Sequence, residues 1–205
     1  MQDFEDRQEN KSKVEEVGIF TVPVSKSKIN NPSKKEIIHK AIKYHLHGDI
    51  KNAAKLYQYC IDRDFNDPDI FSNYATIYLQ NGDISKAIEL YKKSIALFPN
   101  SPEAYSNLGN ILTDIGKLPE AELLHRQAIE IKPNFDAAYY NLGNTLKDLG
   151  KLKEAEISIS KAIDIKPNFA ENHYRISRIF TEMKDFDQAS RSIEKAIDLD
   201  PGNHI

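Results

Sequence analysis

The 205-residue sequence lacks the features that mark several large classes of protein. A single cysteine, Cys60, excludes an internal disulfide, and no group of cysteines and histidines has the spacing of a zinc site. These absences predict a reducing, cytoplasmic setting and no bound metal. No apolar run approaches the roughly 20 residues of a membrane span. The acidic N-terminus is also unlike a signal peptide, so we predict no membrane partner and no export.

Charge of one sign is not in excess, because 28 lysines and arginines face 31 aspartates and glutamates, for a net charge of -3. Nucleic-acid binding requires a basic stripe that releases counterions, so the sequence predicts no nucleic-acid partner. We also find no P-loop, no Gly-x-Gly-x-x-Gly after a strand, no Gly-x-Ser-x-Gly and no His-Glu-x-x-His. The prediction is a protein without enzymatic activity, catalytic residues or cofactor.

Three histidines lie close together in the sequence, at His39, His45 and His47. Residues two positions apart on a helix do not face each other, so we interpret these side chains as solvated histidines rather than metal ligands.

Repetition is the dominant property of the chain. Single residues recur at intervals of 34, and the recurring residues are the glycines Gly48, Gly82, Gly116 and Gly150 and the prolines Pro99, Pro133, Pro167 and Pro201. Two amphipathic stretches flank each glycine, and the alternation typical of strands is missing. Glycine ends a helix readily, and proline stops one. The pattern therefore predicts an all-α solenoid of five helix-turn-helix hairpins.

The same period divides the chain into segments. Residues 1–33 are charged and polar, which predicts a weakly ordered leader. Its apolar patch at residues 17–24 is interpreted as part of a disordered tail or as a pseudo-ligand for the protein's own groove. Ser33 and Glu36 have the spacing of a capping box, so the first helix is expected to start there. The predicted repeats are residues 34–67, 68–101, 102–135, 136–169 and 170–203, followed by a C-terminal remnant at residues 204–205.

Small side chains recur where the helices of each hairpin should cross. They form three rows, which are Ala53, Ala87, Ala121, Ala155 and Ala189; Cys60, Ser94, Ala128, Ala162 and Ala196; and Ala41, Ala75, Gly109, Gly143 and Ser177. This position predicts that Cys60 is a packed thiol rather than a nucleophile. The recurring aromatic residues are predicted to be core, not a platform for stacking bases.

Two of the repeats carry a recognisable motif. It reads Tyr105-x-x-Leu108-Gly109-x-x-Leu112, then Ala121 and Pro133, and it recurs from Tyr139 to Pro167. The motif resembles the tetratricopeptide repeat, and the resemblance covers about 170 residues. It implies a right-handed superhelix whose first helices line a concave surface that binds a protein segment. The end repeats depart from the pattern, and Lys184 replaces the hinge glycine in the fifth.

On that scaffold a set of polar side chains is predicted to face the concave groove. The set is Asn73, Asn107, Asn110, Asn141, Asn144, Arg175 and Arg178. A carboxamide donates to a peptide carbonyl and accepts from a peptide N–H, so the asparagine row predicts binding of an extended chain. The row resembles the asparagine ladder in the repeat domain of O-linked N-acetylglucosamine transferases. The alternative is that asparagine simply belongs to the repeat consensus.

The two arginines replace the asparagines in the fifth repeat. Arg175 and Arg178 can capture an acidic terminus of a partner, or they can pair with Glu171 and Glu182 on a solvated face. The two-carboxylate clamp of chaperone-binding relatives is disfavoured, because Ser106 and Glu171 occupy its lysine places.

The sequence stops at a repeat boundary, so Ile197 and Leu199 are expected to be partly exposed. Three interpretations remain open, namely self-association through the uncapped C-terminal repeat, docking of another protein, or continuation into a catalytic domain in relatives. The leading hypothesis is a protein-interaction scaffold. The alternative is a substrate-recruiting repeat region of a glycosyltransferase, sulfotransferase or methyltransferase whose catalytic domain is absent from this chain.

Overall fold

The computed structural model describes residues 32–202 of the chain. The predictions for the leader, its pseudo-ligand role and the C-terminal remnant concern residues that lie outside this range, apart from residues 32 and 33.

The described residues form ten α-helices in five hairpins, which confirms the predicted all-α fold. The helices are α1 (Lys34–Leu46), α2 (Ile50–Asp62), α3 (Pro68–Gln80), α4 (Ile84–Leu97), α5 (Pro102–Asp114), α6 (Leu118–Ile131), α7 (Asp136–Asp148), α8 (Leu152–Ile165), α9 (Ala170–Glu182) and α10 (Phe186–Leu199).

Polar side chains fix the starts of several helices. The Ser33 Oγ accepts the N–H of Glu36 at 3.3 Å, and the Glu36 carboxylate accepts the N–H of Ser33 at 2.6 Å. The predicted capping box is therefore confirmed. Asp49 and Asp83 cap α2 and α4 by accepting a backbone N–H three residues ahead, which satisfies a donor that the helix itself leaves unpaired.

The hairpin turns use a left-handed residue at the end of each first helix. The four predicted hinge glycines have φ between 75° and 78°. At Gly116 the N–H donates to Thr113 at 2.9 Å, and the N–H of Lys117 donates to Leu112 at 2.8 Å, which together form a Schellman motif. Lys184 takes the same place in the fifth hairpin at φ 64°, although it carries a β-carbon.

Small residues let the two helices of each hairpin approach closely. Four of the five alanines in the first predicted row are 0% exposed, and Ala189 is 8% exposed. A β-carbon added to Gly109 would lie 2.6 Å from the His125 ring, and one added to Gly143 would lie 2.5 Å from Ile159 Cδ1. The two glycines are therefore required for this spacing.

The hairpins stack in chain order. Each helix packs on its neighbours in sequence, and first helices also contact one another directly, α1 with α3, α5 with α7 and α7 with α9. The first helices of the first two repeats lie side by side, as do those of the third to fifth repeats, and the side chains on their open faces form the candidate groove considered below.

Candidate functional site

All seven predicted groove residues lie on first helices. The asparagines of α3, α5 and α7 are half-buried, as is Arg175 on α9, whereas Arg178 is exposed. Half-burial keeps a polar group ordered while it remains accessible to a ligand. The prediction that these residues bind a ligand is not tested by their positions alone.

A cleft of about 440 Å³ opens in this face between the second and third repeats. It is lined by Thr76, Leu79, Ile84, Tyr91, Asn107, Asn110, Ile111, Asp114 and Ile115. Burial raises the pKa of Tyr91, and the neighbouring side chains of Thr76 and Asn107 partly oppose this rise. Tyr91 therefore stays a neutral hydroxyl, which donates to the Ser72 carbonyl at 3.4 Å. The cleft combines aliphatic walls with a few polar atoms, as small binding sites commonly do.

One asparagine of the row already has a partner inside the protein. The Asn141 Nδ2 donates to the Ser106 Oγ of the preceding repeat at 3.1 Å. Nearby, the hydroxyls of Thr113 and Thr145 lie 2.9 Å apart across the same repeat boundary. Asn141 therefore joins neighbouring repeats, in addition to any contact it makes with a ligand.

Arg175 is held by residues of two repeats. Its Nε donates to the Tyr140 hydroxyl at 2.7 Å and to the Glu171 carboxylate at 2.9 Å, and its guanidinium lies over the rings of Tyr140 and Tyr174. Burial acts to lower the pKa of Arg175, but Tyr140 and Glu171 outweigh it and raise the pKa. The pair between Arg175 and Glu171 is one of the two arrangements that the sequence left open, whereas Glu182 pairs with Lys147 at 3.8 Å instead of an arginine.

Sequence reasoning missed a buried histidine behind the groove. His125 on α6 is 0% exposed, and neither ring nitrogen has a hydrogen-bond partner among the described residues. Burial lowers its pKa to about 4. The 34-residue register contained the signal, because it aligns His125 with Tyr57, Tyr91 and Ile159, and a polar ring without a hydroxyl is the exception in that series.

The three histidines that are close together in the sequence lie on α1 or directly after it. His39 and His47 are exposed, and the His45 Nδ1 lies 3.4 Å from the Tyr57 hydroxyl. Between residues 32 and 202 there is no group of three histidine, cysteine, aspartate or glutamate residues that could hold a metal. Across that same range, no helix is both long and apolar enough to cross a bilayer.

Stacked helical hairpins with a polar groove on their first helices define a helical-repeat scaffold. Family models of the TPR repeat match residues 75–116 and 109–150, and models of the tetratricopeptide repeat match residues 137–169 and 170–203. The chain belongs to the tetratricopeptide repeat family. Arrays of this family generally act as scaffolds that bind proteins, and such repeat proteins are typically not catalytic.

Solved structures of similar fold include other tetratricopeptide proteins. A crystal structure of MamA has a TM-score of 0.70 at 27% identity and covers 78% of this chain and 94% of its own. MamA from Desulfovibrio magneticus RS-1 has a TM-score of 0.73 at 20% identity and covers 84% of this chain and 97% of its own. TTC0263, a thermophilic TPR protein of Thermus thermophilus, has a TM-score of 0.67 at 19% identity and covers 83% of this chain and 93% of its own. The last two likenesses concern the fold alone, and no curated protein matches. The resemblance to transferase repeats stays a prediction.

Proposed function

We propose that the array binds an extended segment of a partner protein in the groove of its first helices. The observation that carries this proposal is the row of half-buried asparagines on consecutive first helices, of which Asn107 and Asn110 line the cleft. Helices pack roughly 8 to 10 Å apart, and an extended chain advances about 3.3 Å per residue. Asparagines on neighbouring first helices would therefore contact peptide residues about three positions apart. The expected ligand is recognised through its backbone.

The groove residues have different parts in this proposal. Asn73 and Asn110 can use both halves of the carboxamide. The side chains of Asn107 and Asn144 already contact the hydroxyls of Tyr91 and Tyr140, and the Asn141 Nδ2 is bonded to Ser106, so the Oδ1 atoms of these three asparagines are left to accept a peptide N–H. Arg175 and Arg178 then meet the end of the segment that lies on the fifth repeat. The Nη groups of Arg175 form no hydrogen bond to a described residue, which supports capture of an acidic group there.

The test uses peptides selected from a random display library on the wild-type array. Replacing Asn107, Asn110 and Asn144 by alanine removes three carboxamides and should weaken the selected peptides at least about tenfold, because each net hydrogen bond contributes about 1 kcal/mol. Fluorescence anisotropy measures the affinities, and circular dichroism checks that helix content is retained.

A matched control is available in the exposed turn asparagines Asn100, Asn134 and Asn168, which are also 34 residues apart. Their triple alanine variant should bind as the wild type does. Equal binding by the groove variant and the wild type would exclude the asparagine row as the binding surface.

Self-association is a second candidate function, because Phe186 and Ile197 on α10 are 63% and 52% exposed. In the first four repeats the residues equivalent to Ile197 are half-buried. The transferase alternative uses the same groove contacts, so only a catalytic domain in the complete gene product would distinguish it. A cytoplasmic location stays a prediction.

A further inference from the structure

The cleft between the second and third repeats has a lining that fits one kind of side chain. We infer that it binds a lysine or arginine of the segment held in the groove. This inference rests on the proposed function, since the cleft lies in the same face as the asparagine row and shares Asn107 and Asn110 with it.

The walls of the cleft are aliphatic. Leu79 and Ile111 line it together with Ile84 and Ile115, which are 41% and 39% exposed. Long basic side chains bury their methylene stems against such surfaces while the charged group remains at a polar rim. The open volume of about 440 Å³ leaves room for a stem of this length and for water around its head.

The polar atoms of the cleft include several acceptors suited to a cation. Asp114 contributes a carboxylate and Asn107 and Asn110 contribute carboxamide oxygens, while the lining contains no basic residue. Asp114 forms no ion pair with any residue between 32 and 202. The Asp114 carboxylate would repel an acidic ligand group. A purely apolar ligand group would desolvate the carboxylate without supplying a hydrogen bond or an opposite charge in return.

The next repeats show how the protein itself satisfies the equivalent carboxylates. Asp114, Asp148 and Glu182 occupy one position at 34-residue intervals. Lys147 lies 2.6 Å from Asp148 and 3.8 Å from Glu182, so one internal cation serves both. The residue equivalent to Lys147 in the third repeat is Thr113, which carries no charge. A basic side chain of the ligand would supply at Asp114 the cation that Lys147 supplies at Asp148.

The test begins with parallel selections from the random peptide library on the wild-type array and on Asp114→Asn. Wild-type peptides should share a lysine or arginine at one fixed position, and the variant should lose that preference. A double-mutant cycle then combines Asp114→Asn with replacement of that lysine or arginine by norleucine. Each single change should weaken binding about fivefold, which is the upper end of the contribution of a partly exposed ion pair. The two changes together should weaken binding little more than either one alone, because both remove the same interaction.

Asp148→Asn is the matched control, because it removes the same charge at a position already paired with Lys147. It should change the affinity by less than about twofold. Two results would overturn the inference and leave the groove proposal standing. In the first, peptides that fail to bind the variant of Asn107, Asn110 and Asn144 show no preference for lysine or arginine. In the second, such peptides bind Asp114→Asn as tightly as they bind the wild type. Failure to select any peptide that depends on those asparagines would overturn the groove proposal and the inference together.

Discussion

The buried histidine should make the stability of the array depend on pH. His125 is 0% exposed, and burial lowers its pKa from 6.5 to about 4. The unfolded chain therefore binds a proton at a higher pH than the folded chain does. The free energy of unfolding consequently falls as the pH drops from 6.5 to about 4, and it gains nothing from this residue above that range.

The size of the effect follows from the two pKa values. One pKa unit corresponds to about 1.4 kcal/mol. With a pKa of about 4 in the folded chain and 6.5 in the unfolded chain, His125 lowers the free energy of unfolding by about 1.4 kcal/mol at about pH 5.5 and by about 2.5 kcal/mol at about pH 4.5. The limiting loss is about 3 kcal/mol, a large part of the stability of an ordinary domain.

The perturbation that isolates this effect is His125→Ile. In the fourth repeat Ile159 occupies the equivalent position, where it packs over Gly143 as His125 packs over Gly109. The variant thus imports an arrangement that the protein already uses. Urea unfolding followed by circular dichroism between about pH 7.5 and about pH 4.5 should show a shallower loss of stability in the variant. Other titrating groups are common to both proteins, so the difference between the two profiles reports on His125.

Proton NMR provides an independent measurement, because the His125 ring signals should not shift until the pH approaches about 4. Parallel stability profiles for the wild type and His125→Ile, or a ring that titrates near 6.5, would refute the reasoning.

Two further predictions concern the hinge of the fifth hairpin and the face of the last helix. Lys184→Gly should stabilise the array by about 1 kcal/mol, because Lys184 has φ 64°, which glycine adopts without strain. Gly150→Ala should destabilise the array by a similar amount. Thermal melts in which Lys184→Gly lowers the melting temperature and Gly150→Ala raises it would contradict this reasoning. If α10 mediates self-association, the mass measured by light scattering should rise with concentration and should lose that rise in Ile197→Lys. Ile157→Lys is the control, at an isoleucine 66% exposed on α8, and a constant wild-type mass would exclude self-association.

The hairpins could be predicted from the sequence because their signals are local. A glycine such as Gly116 is required by its own left-handed backbone, and a capping box such as Ser33 with Glu36 spans only three residues. Repetition strengthened these signals, since each appeared several times in one register. The register even identified Lys184 as the exceptional hinge, and its positive φ shows that the turn persists when the glycine is replaced.

The contacts within the groove were harder to predict, because they cross repeat boundaries. Asn141 bonds to Ser106, and Arg175 bonds to Tyr140, and each pair is separated by 35 residues rather than 34. This offset arises from the way neighbouring first helices pack, which the periodicity does not contain. The cleft was missed for the same reason, since its walls come from α3, α4 and α5 and from the turn that follows α5.

The uneven distribution of polar bonds between repeats has a consequence for ligand binding. The third and fourth repeats are joined through Asn141, and the fourth and fifth through Arg175. Between the second and third repeats, the polar contact among the described residues is that of Asn107 beside the Tyr91 hydroxyl, and the cleft opens there. Apolar packing of Tyr91 against Leu108 and Ile111 therefore holds this joint more than polar bonds do. A side chain bound in the cleft would contact both repeats at once, and it would add polar contacts at a joint that has few of its own.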